Sequence, residues 1–332
     1  MEHRQLGNSD LKVPPVIFGA WAVGGWYWGG QDDADSIRAI RAALDAGIRC
    51  IDTAPIYGMG HSEEVVGKAI QGRRSDVILA TKCGLRWDTP GQGSSPWTYK
   101  GLDGSECTVV RNLHKDAILA EVEQSLKRLG TDVIDLYQCH WPDSSTPMAE
   151  TMDALVALKD QGKIRAIGVS NFTVEMMAEC RQHGPLASDQ PKYSLLARDI
   201  ESDVLPFCRK QNIGVIVYSP LEQGLLTGKV TVGRAFAEGD YRAGRPWFQP
   251  GNRARVLAAL EKVKPLAAAH KATLGQVAIA WTIAQPGVTA AIVGARTPEQ
   301  ARENAAAASI RLSADERQTI RRVFDDLGKP LA

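Results

Sequence analysis

Short β-rich segments alternate with amphipathic helical segments along most of this 332-residue chain. Such alternation is typical of repeated strand–helix units, which place their strands side by side in one parallel sheet. Eight strands are predicted, at 16–20, 49–53, 77–82, 134–140, 164–169, 188–193, 214–218 and 290–293. The predicted helices span 36–46, 63–70, 115–129, 148–159, 175–181, 203–210, 253–268 and 274–284.

Eight parallel strands can close into a (β/α)8 barrel, the TIM-barrel fold. The alternative is an open, doubly wound sheet, which usually carries a GxGxxG turn after its first strand, and this chain contains no GxGxxG. We therefore predict an α/β chain with a single TIM-barrel domain over residues 1–332. A β-hairpin over 3–13 and a C-terminal helix over 314–327 are predicted outside the eight units.

Charge and hydropathy narrow the class of function. Lys and Arg number 39 and Asp and Glu 38, so the formal net charge is +1. This balance provides no basic surface for nucleic acid or an anionic membrane. We find neither a secretory leader nor an apolar run of about 18 residues, which a membrane span requires. These features predict a cytoplasmic protein that acts on a small molecule.

The six cysteines are scattered without a CxxC pair, so we predict neither a metal site nor structural disulfides. Another feature is the long segment 85–112, which is rich in Gly, Ser and Pro and contains Trp87, Trp97 and Tyr99. It follows the third strand, on the barrel face where active sites lie. Two interpretations stay open, a lid over the substrate and a surface insertion that the fold tolerates.

Four polar residues lie at the predicted carboxyl ends of adjacent strands. Asp52 ends the second strand, Tyr57 follows five residues later, Lys82 ends the third strand and His140 ends the fourth. Each alone is more often structural, but their conjunction at one barrel mouth favours a catalytic site.

This set of residues suits carbonyl reduction, because hydride addition produces an alkoxide that needs a proton. Tyr57 can supply the proton, a neighbouring Lys82 ammonium would favour its phenolate, and Asp52 would hold that ammonium in place. His140 would orient the carbonyl oxygen. Around them, the expected substrate-binding residues are Trp26, Tyr57, Trp87, His140 and Trp141, and Trp21 and Trp28 are further candidates for an aromatic pocket.

At these residues the chain resembles the aldo-keto reductase superfamily. The similarity lies in GIRCIDTAPIYGMGHSEEVVGKAI (47–70), ILATKCG (78–84) and IDLYQCHWPD (134–143). Within the superfamily, the pattern is most similar to bacterial general-stress and inositol-locus reductases and more distantly to potassium-channel β subunits. The resemblance implies a catalytic tetrad of Asp52, Tyr57, Lys82 and His140, with Tyr57 as the general acid.

The same resemblance implies a nicotinamide cofactor. IRAIGVSNF (164–172) and SDQPKYSLLARD (188–199) resemble segments that hold the nicotinamide amide, and VYSPLEQGLLTGK (217–229) resembles one that stacks on the ring and wraps the pyrophosphate. IVGARTPEQARENAAA (292–307) resembles an adenosine-binding segment in which Arg296 would meet a 2′-phosphate. The residues expected to bind cofactor are Ala20, Trp21, Asp52, Ser170, Asn171, Gln190, Tyr218, Ser219, Pro220, Leu221, Gln223, Gly224, Lys229, Gly294, Arg296, Gln300, Glu303 and Asn304. AFAEGDYR (235–242) loosely resembles a segment that closes over the cofactor.

The resulting hypothesis is an NADP(H)-dependent oxidoreductase, with NAD(H) left open, that reduces aldehydes or ketones or works in reverse on a sugar or polyol. It needs no metal. One alternative is a regulatory subunit that senses redox state through bound cofactor, as in potassium-channel β subunits, although those relatives generally lack a histidine at the position of His140. Another is a barrel isomerase or aldolase with a Schiff base on Lys82. The resemblance also implies a homo-oligomer.

Overall fold

Eight parallel strands form a closed barrel in the computed structural model, which describes residues 1–25, 28, 30–89, 91–100 and 105–331. Each strand pairs with its neighbours in chain order, and the eighth closes on the first, where Ile292 lies opposite Ile17. The predicted TIM barrel is therefore confirmed. The barrel strands are Val16–Gly19, Cys50–Asp52, Ile78–Cys83, Ile134–Cys139, Ile164–Ser170, Ser188–Gln190, Gly214–Tyr218 and Val288–Gly294.

Helices connect the strands and cover the outside of the barrel. Two predicted helices, Lys115–Leu129 and Ala314–Leu327, have the bounds expected from sequence. Gly130 ends the first of these in the left-handed conformation that glycine adopts without steric cost, and Ser313 starts the second with a capping box to Glu316. The other helices are Asp33–Asp45, His61–Ile70, Met148–Asp160, Val174–His183, Val204–Gln211, Pro250–Ala269, Leu274–Ile283 and Pro298–Ala306.

The N-terminal hairpin closes the lower end of the barrel. Its strands, Arg4–Gln5 and Lys12–Val13, pair antiparallel, as predicted. Leu6 and Leu11 between them are fully buried and pack with the inward-facing apolar side chains of the barrel. At the turn, a side chain on Gly7 would lie 2.3 Å from the carbonyl oxygen of Ala187, so only glycine fits.

The segment after the third barrel strand is a small sheet, which the sequence analysis did not predict. Its antiparallel strands are Leu85–Arg86, Ser94–Lys100 and Glu106–Arg111. The pairing shifts register between Ser94 and Trp97, and this bulge interrupts the two-residue periodicity that identifies a strand in a sequence. Leu85, Tyr99 and Val109 form a buried apolar cluster on one face of the sheet.

Two apolar layers hold the barrel together. A small cluster fills the barrel interior, and a large one lies between the strands and the surrounding helices. All six cysteines are unpaired thiols, and five of them are buried. In the described part of the chain, no three acidic, His or Cys side chains come together as metal ligands. Within the same ranges, no helix combines the length and hydropathy that crossing a membrane requires.

Candidate active site

A cavity of about 670 Å³ opens at the carboxyl ends of the barrel strands. It contains most of the residues that the sequence analysis assigned to a site. These are Trp21, Asp52, Tyr57, His140, Trp141, Ser170, Asn171, Gln190, Tyr218, Ser219, Pro220, Leu221, Gln223, Gly224, Lys229, Gly294, Arg296, Gln300, Glu303 and Asn304.

Three assigned residues do not line the cavity. Lys82 lies fully buried directly behind Tyr57. Ala20 is buried below the cavity, where its carbonyl accepts a hydrogen bond from Ser62. Trp87 packs against the apolar cluster of the small sheet instead of lining the cavity. Trp26 lies outside the described residues.

Asp52, Lys82 and Tyr57 are joined by hydrogen bonds. Lys82 Nζ lies 2.6 Å from Asp52 Oδ1, 2.9 Å from the carbonyl oxygen of Thr53 and 3.3 Å from the Tyr57 hydroxyl. An ammonium has three protons to donate and accepts nothing. All three are used here, so the Tyr57 oxygen is the acceptor and its own proton is free to point into the cavity.

Burial and the neighbouring Lys82 charge have opposite effects on the pKa of Tyr57. Burial raises the pKa of Tyr57, and the Lys82 ammonium offsets only part of that rise. The ammonium thus favours the phenolate, as expected, but burial outweighs it, and the phenol keeps its proton at neutral pH. For Lys82, burial lowers the pKa, but the Asp52 carboxylate and the Tyr57 oxygen together outweigh burial and raise it above its ordinary value.

His140 lies on the other side of Tyr57. The two rings meet edge to face, with centroids 5.7 Å apart. Burial, together with the Lys82 ammonium, holds the pKa of His140 well below its usual range. The imidazole is thus neutral at pH 7 and can donate a hydrogen bond to an uncharged oxygen without carrying a charge of its own.

Hydrogen bonds also connect the ends of the later strands. Tyr218 donates to Asn171 Oδ1 at 2.9 Å, and Asn171 Nδ2 lies 3.2 Å from the carbonyl oxygen of His140 and 3.0 Å from Ser170 Oγ. Asn171 has a left-handed backbone, with φ of 63°. These contacts hold a row of polar groups across the cavity beside Tyr57.

The loop after the seventh strand turns sharply along the cavity. Ser219, Glu222 and Gln223 all have positive φ, which costs free energy in residues other than glycine. Glu222 is buried and holds the loop in this shape through Lys192 Nζ at 2.6 Å and Ser194 Oγ at 3.0 Å.

The far end of the cavity is basic. Lys229, Arg234, Arg242 and Arg296 line it, and Arg242 is paired with Asp240. Burial lowers the pKa of Arg296, and the neighbouring Arg242 and Arg234 lower it further, although Asp240 opposes them. This end of the cavity is therefore suited to an anion.

Several lining residues were not assigned from sequence. The small sheet contributes Leu85, Trp97, Tyr99 and Val109; the lid and insertion interpretations both treated it as a loop, and its apolar face was not recognised. Arg242 lies in the segment 235–242, whose match was loose, and Arg234 immediately precedes that segment. Trp21 meets Trp28 and Tyr241 edge to face, with centroids 5.2 and 5.8 Å apart, so the loops after the first and seventh strands touch across the cavity.

Residues 15–325 match the aldo/keto reductase family. The chain is 43% identical over 303 residues to aldo-keto reductase YhdN of Bacillus subtilis, covering 90% of this chain and 86% of that one. It is 42% identical over 319 residues to the NADH-specific methylglyoxal reductase of Escherichia coli, covering 94% and 95%. A more distant relative, at 33% identity over 325 residues, is a probable voltage-gated potassium channel subunit beta of Arabidopsis thaliana, covering 93% and 92%.

Among solved structures, the chain resembles the glycerol dehydrogenase AKR11B4 of Gluconobacter oxydans, with a TM-score of 0.88 and 39% identity over 99% of this chain and 97% of that one. The fold, the family match and the close relatives agree. The chain belongs to the aldo/keto reductase family and is an oxidoreductase of that family.

Proposed function

We propose that the chain reduces aldehydes or ketones with NADP(H), or runs in reverse on a sugar or polyol, with Tyr57 as the general acid. The observation that carries this proposal is the arrangement at Lys82. Since its ammonium donates to the Tyr57 oxygen at 3.3 Å, the phenol proton is available to a molecule in the cavity. The ammonium also stabilises the phenolate that remains after the proton has been transferred.

The remaining groups fit the other parts of the reaction. A nicotinamide supplies the hydride when bound, and Ser170, Asn171 and Gln190 would hold its amide beside Tyr57. Neutral His140 would donate a hydrogen bond to the substrate carbonyl oxygen. Because this imidazole is neutral near pH 7, Tyr57 delivers the proton. The N–H of His140 polarises and orients the carbonyl.

The proposal names NADP(H) because of the basic end of the cavity. Arg234, Arg242 and Arg296 line the same end of the cavity as Gln300 and Asn304, which lie in the segment that resembles an adenosine-binding one. A 2′-phosphate would neutralise that charge. The Escherichia coli relative is named NADH-specific, so NAD(H) is the alternative that the assay must include.

The two competing hypotheses receive less support. A Schiff base on Lys82 requires an uncharged, accessible amine. This ammonium is instead fully buried and paired with Asp52, and its pKa is raised above the ordinary value. A purely regulatory role, like that of the channel subunits, would leave unexplained why His140 joins the other three residues at one cavity.

The direct test is a panel of aldehydes and ketones, assayed by the loss of NADPH absorbance and repeated with NADH. Sugars and polyols are assayed in the opposite direction with NADP⁺ and NAD⁺. We expect turnover of at least one class, with NADPH preferred. Tight binding of NADPH without turnover of any substrate would favour the regulatory alternative, and failure to bind either nucleotide would contradict the proposal. A sizing column tests the expected homo-oligomer.

A further inference from the structure

Gln138 is a buried polar residue that the proposed reaction does not use. It lies inside the barrel on the fourth strand, fully buried, in register with Lys82 on one side and Gly168 on the other. A side chain on Gly168 would lie 2.9 Å from Gln138 Cγ, so the glycine leaves the space that Gln138 occupies. An uncharged amide in a barrel core is costly unless its hydrogen bonds are made.

Those hydrogen bonds run to two residues of the site. Gln138 Nε2 lies 3.2 Å from Asp52 Oδ2, and Gln190 Nε2 lies 2.8 Å from the same oxygen and 3.2 Å from Gln138 Oε1. The three side chains thus form a closed triangle beneath the cavity.

The chemistry of the triangle determines which way each amide faces. A carboxylate can only accept hydrogen bonds, so both glutamines must turn their NH2 groups toward Asp52. The oxygen of Gln138 then accepts the second N–H of Gln190. Both N–H groups of Gln190 are used in this way, which leaves its carbonyl oxygen for the cavity that Gln190 lines.

We propose that Gln138 is a positioning residue that fixes the amide of Gln190 so that its oxygen accepts a hydrogen bond from the carboxamide NH2 of a nicotinamide. This inference rests on the proposed function, because it requires a nicotinamide in the cavity. It goes beyond that function in assigning a role to a residue that touches neither cofactor nor substrate.

The test uses two dinucleotides that differ at one group. NADP⁺ carries a carboxamide, and nicotinic acid adenine dinucleotide phosphate carries a carboxylate, which can only accept. A fixed Gln190 oxygen should favour the carboxamide form. Gln138→Met removes the acceptor for Gln190 and one donor to Asp52 while keeping a side chain of similar length. We expect the ratio of the dissociation constant of the carboxylate form to that of the carboxamide form to fall by up to about tenfold, the upper size for a hydrogen bond between uncharged groups.

Two further measurements distinguish a loss of Gln190 positioning from a general distortion of the cavity. Adenosine 2′,5′-bisphosphate, which lacks the nicotinamide, should bind wild type and Gln138→Met equally. Ser188→Ala is the matched control, because Ser188 is equally buried in the barrel wall and its hydroxyl has no hydrogen-bond partner in the described part of the chain. It should leave both the ratio and turnover unchanged.

Gln138→Asn serves if the methionine variant does not fold. Its shorter amide cannot span Asp52 and Gln190, so the same fall in the ratio is expected. An unchanged ratio in either folded variant would overturn the positioning role while leaving the proposed function intact. A wild-type protein that binds neither dinucleotide would overturn both.

Discussion

The ammonium of Lys82 lies 2.6 Å from a carboxylate oxygen of Asp52, in a part of the barrel where the side chains of both residues are at most 4% exposed. Removing one partner of such a pair leaves an uncompensated buried charge. We expect Asp52→Leu to lower the free energy of unfolding by about 3–5 kcal/mol, measured by urea denaturation. The double variant Asp52→Leu/Lys82→Met should regain much of this loss, because no isolated charge remains. Equal losses in the single and double variants would contradict this account.

Tyr57→Phe removes the proposed proton donor and leaves the ring in place. We expect kcat for carbonyl reduction to fall by about 10²–10⁴-fold, the usual contribution of general acid catalysis, with an unchanged dissociation constant for NADPH. Pre-steady-state and steady-state assays with fluorescence titration measure the two effects. Tyr137→Phe is the control, because Tyr137 is buried in the layer between strands and helices and should not affect turnover. Retained activity in Tyr57→Phe would refute its role as the acid.

Arg296→Ser tests which cofactor the basic end of the cavity accepts. We expect the dissociation constant for NADPH to rise about tenfold or more, because a charge-assisted contact to phosphate is lost, and that for NADH to stay nearly constant. Arg302→Ser is a matched control on the helix that follows Arg296, since Arg302 is exposed and pairs with Glu299. An equal effect of Arg296→Ser on both cofactors would show that the arginine does not recognise a 2′-phosphate.

Asp189 should make stability depend on pH. It is fully buried, and no side chain in the described ranges donates a hydrogen bond to it. Burial raises its pKa to about 8, which backbone N–H groups offset only in part. Between the ordinary pKa of 3.8 and about 8, the folded chain therefore holds a proton that the unfolded chain releases, so stability falls as pH rises through this window.

The variant Asp189→Asn should remove this dependence. We expect its stability relative to wild type to increase by about 3 kcal/mol between pH 5 and pH 8, as measured by chemical denaturation. Asp143→Asn is a control of opposite sign. Burial raises the pKa of Asp143, but hydrogen bonds from Ser94 and Thr146 outweigh it and lower the pKa to about 2, so this variant should be destabilised at pH 7 and less so at pH 3. A flat difference between wild type and Asp189→Asn from pH 5 to 8 would contradict the assignment.

The alternation of strands and helices determined the barrel, because each strand–helix unit can bury its apolar face only against its neighbours in a parallel sheet. The same order brought Asp52, Lys82 and His140 to one mouth, since the carboxyl ends of parallel strands share a face. These relationships follow from the order of strands and helices along the chain, so the sequence was enough to predict them.

Other features depended on tertiary packing. The net upward shift in the pKa of Tyr57 comes from burial, which a sequence does not display. The small sheet contributes Trp97 and Val109 to the cavity, and a bulge interrupts it. Its apolar face packs against Ile56 and Trp141, a contact that forms only in the folded chain. The triangle of Asp52, Gln138 and Gln190 joins side chains up to 138 positions apart. Such contacts are set by how the barrel closes, so their distances and hydrogen-bond directions were decided by the folded structure alone.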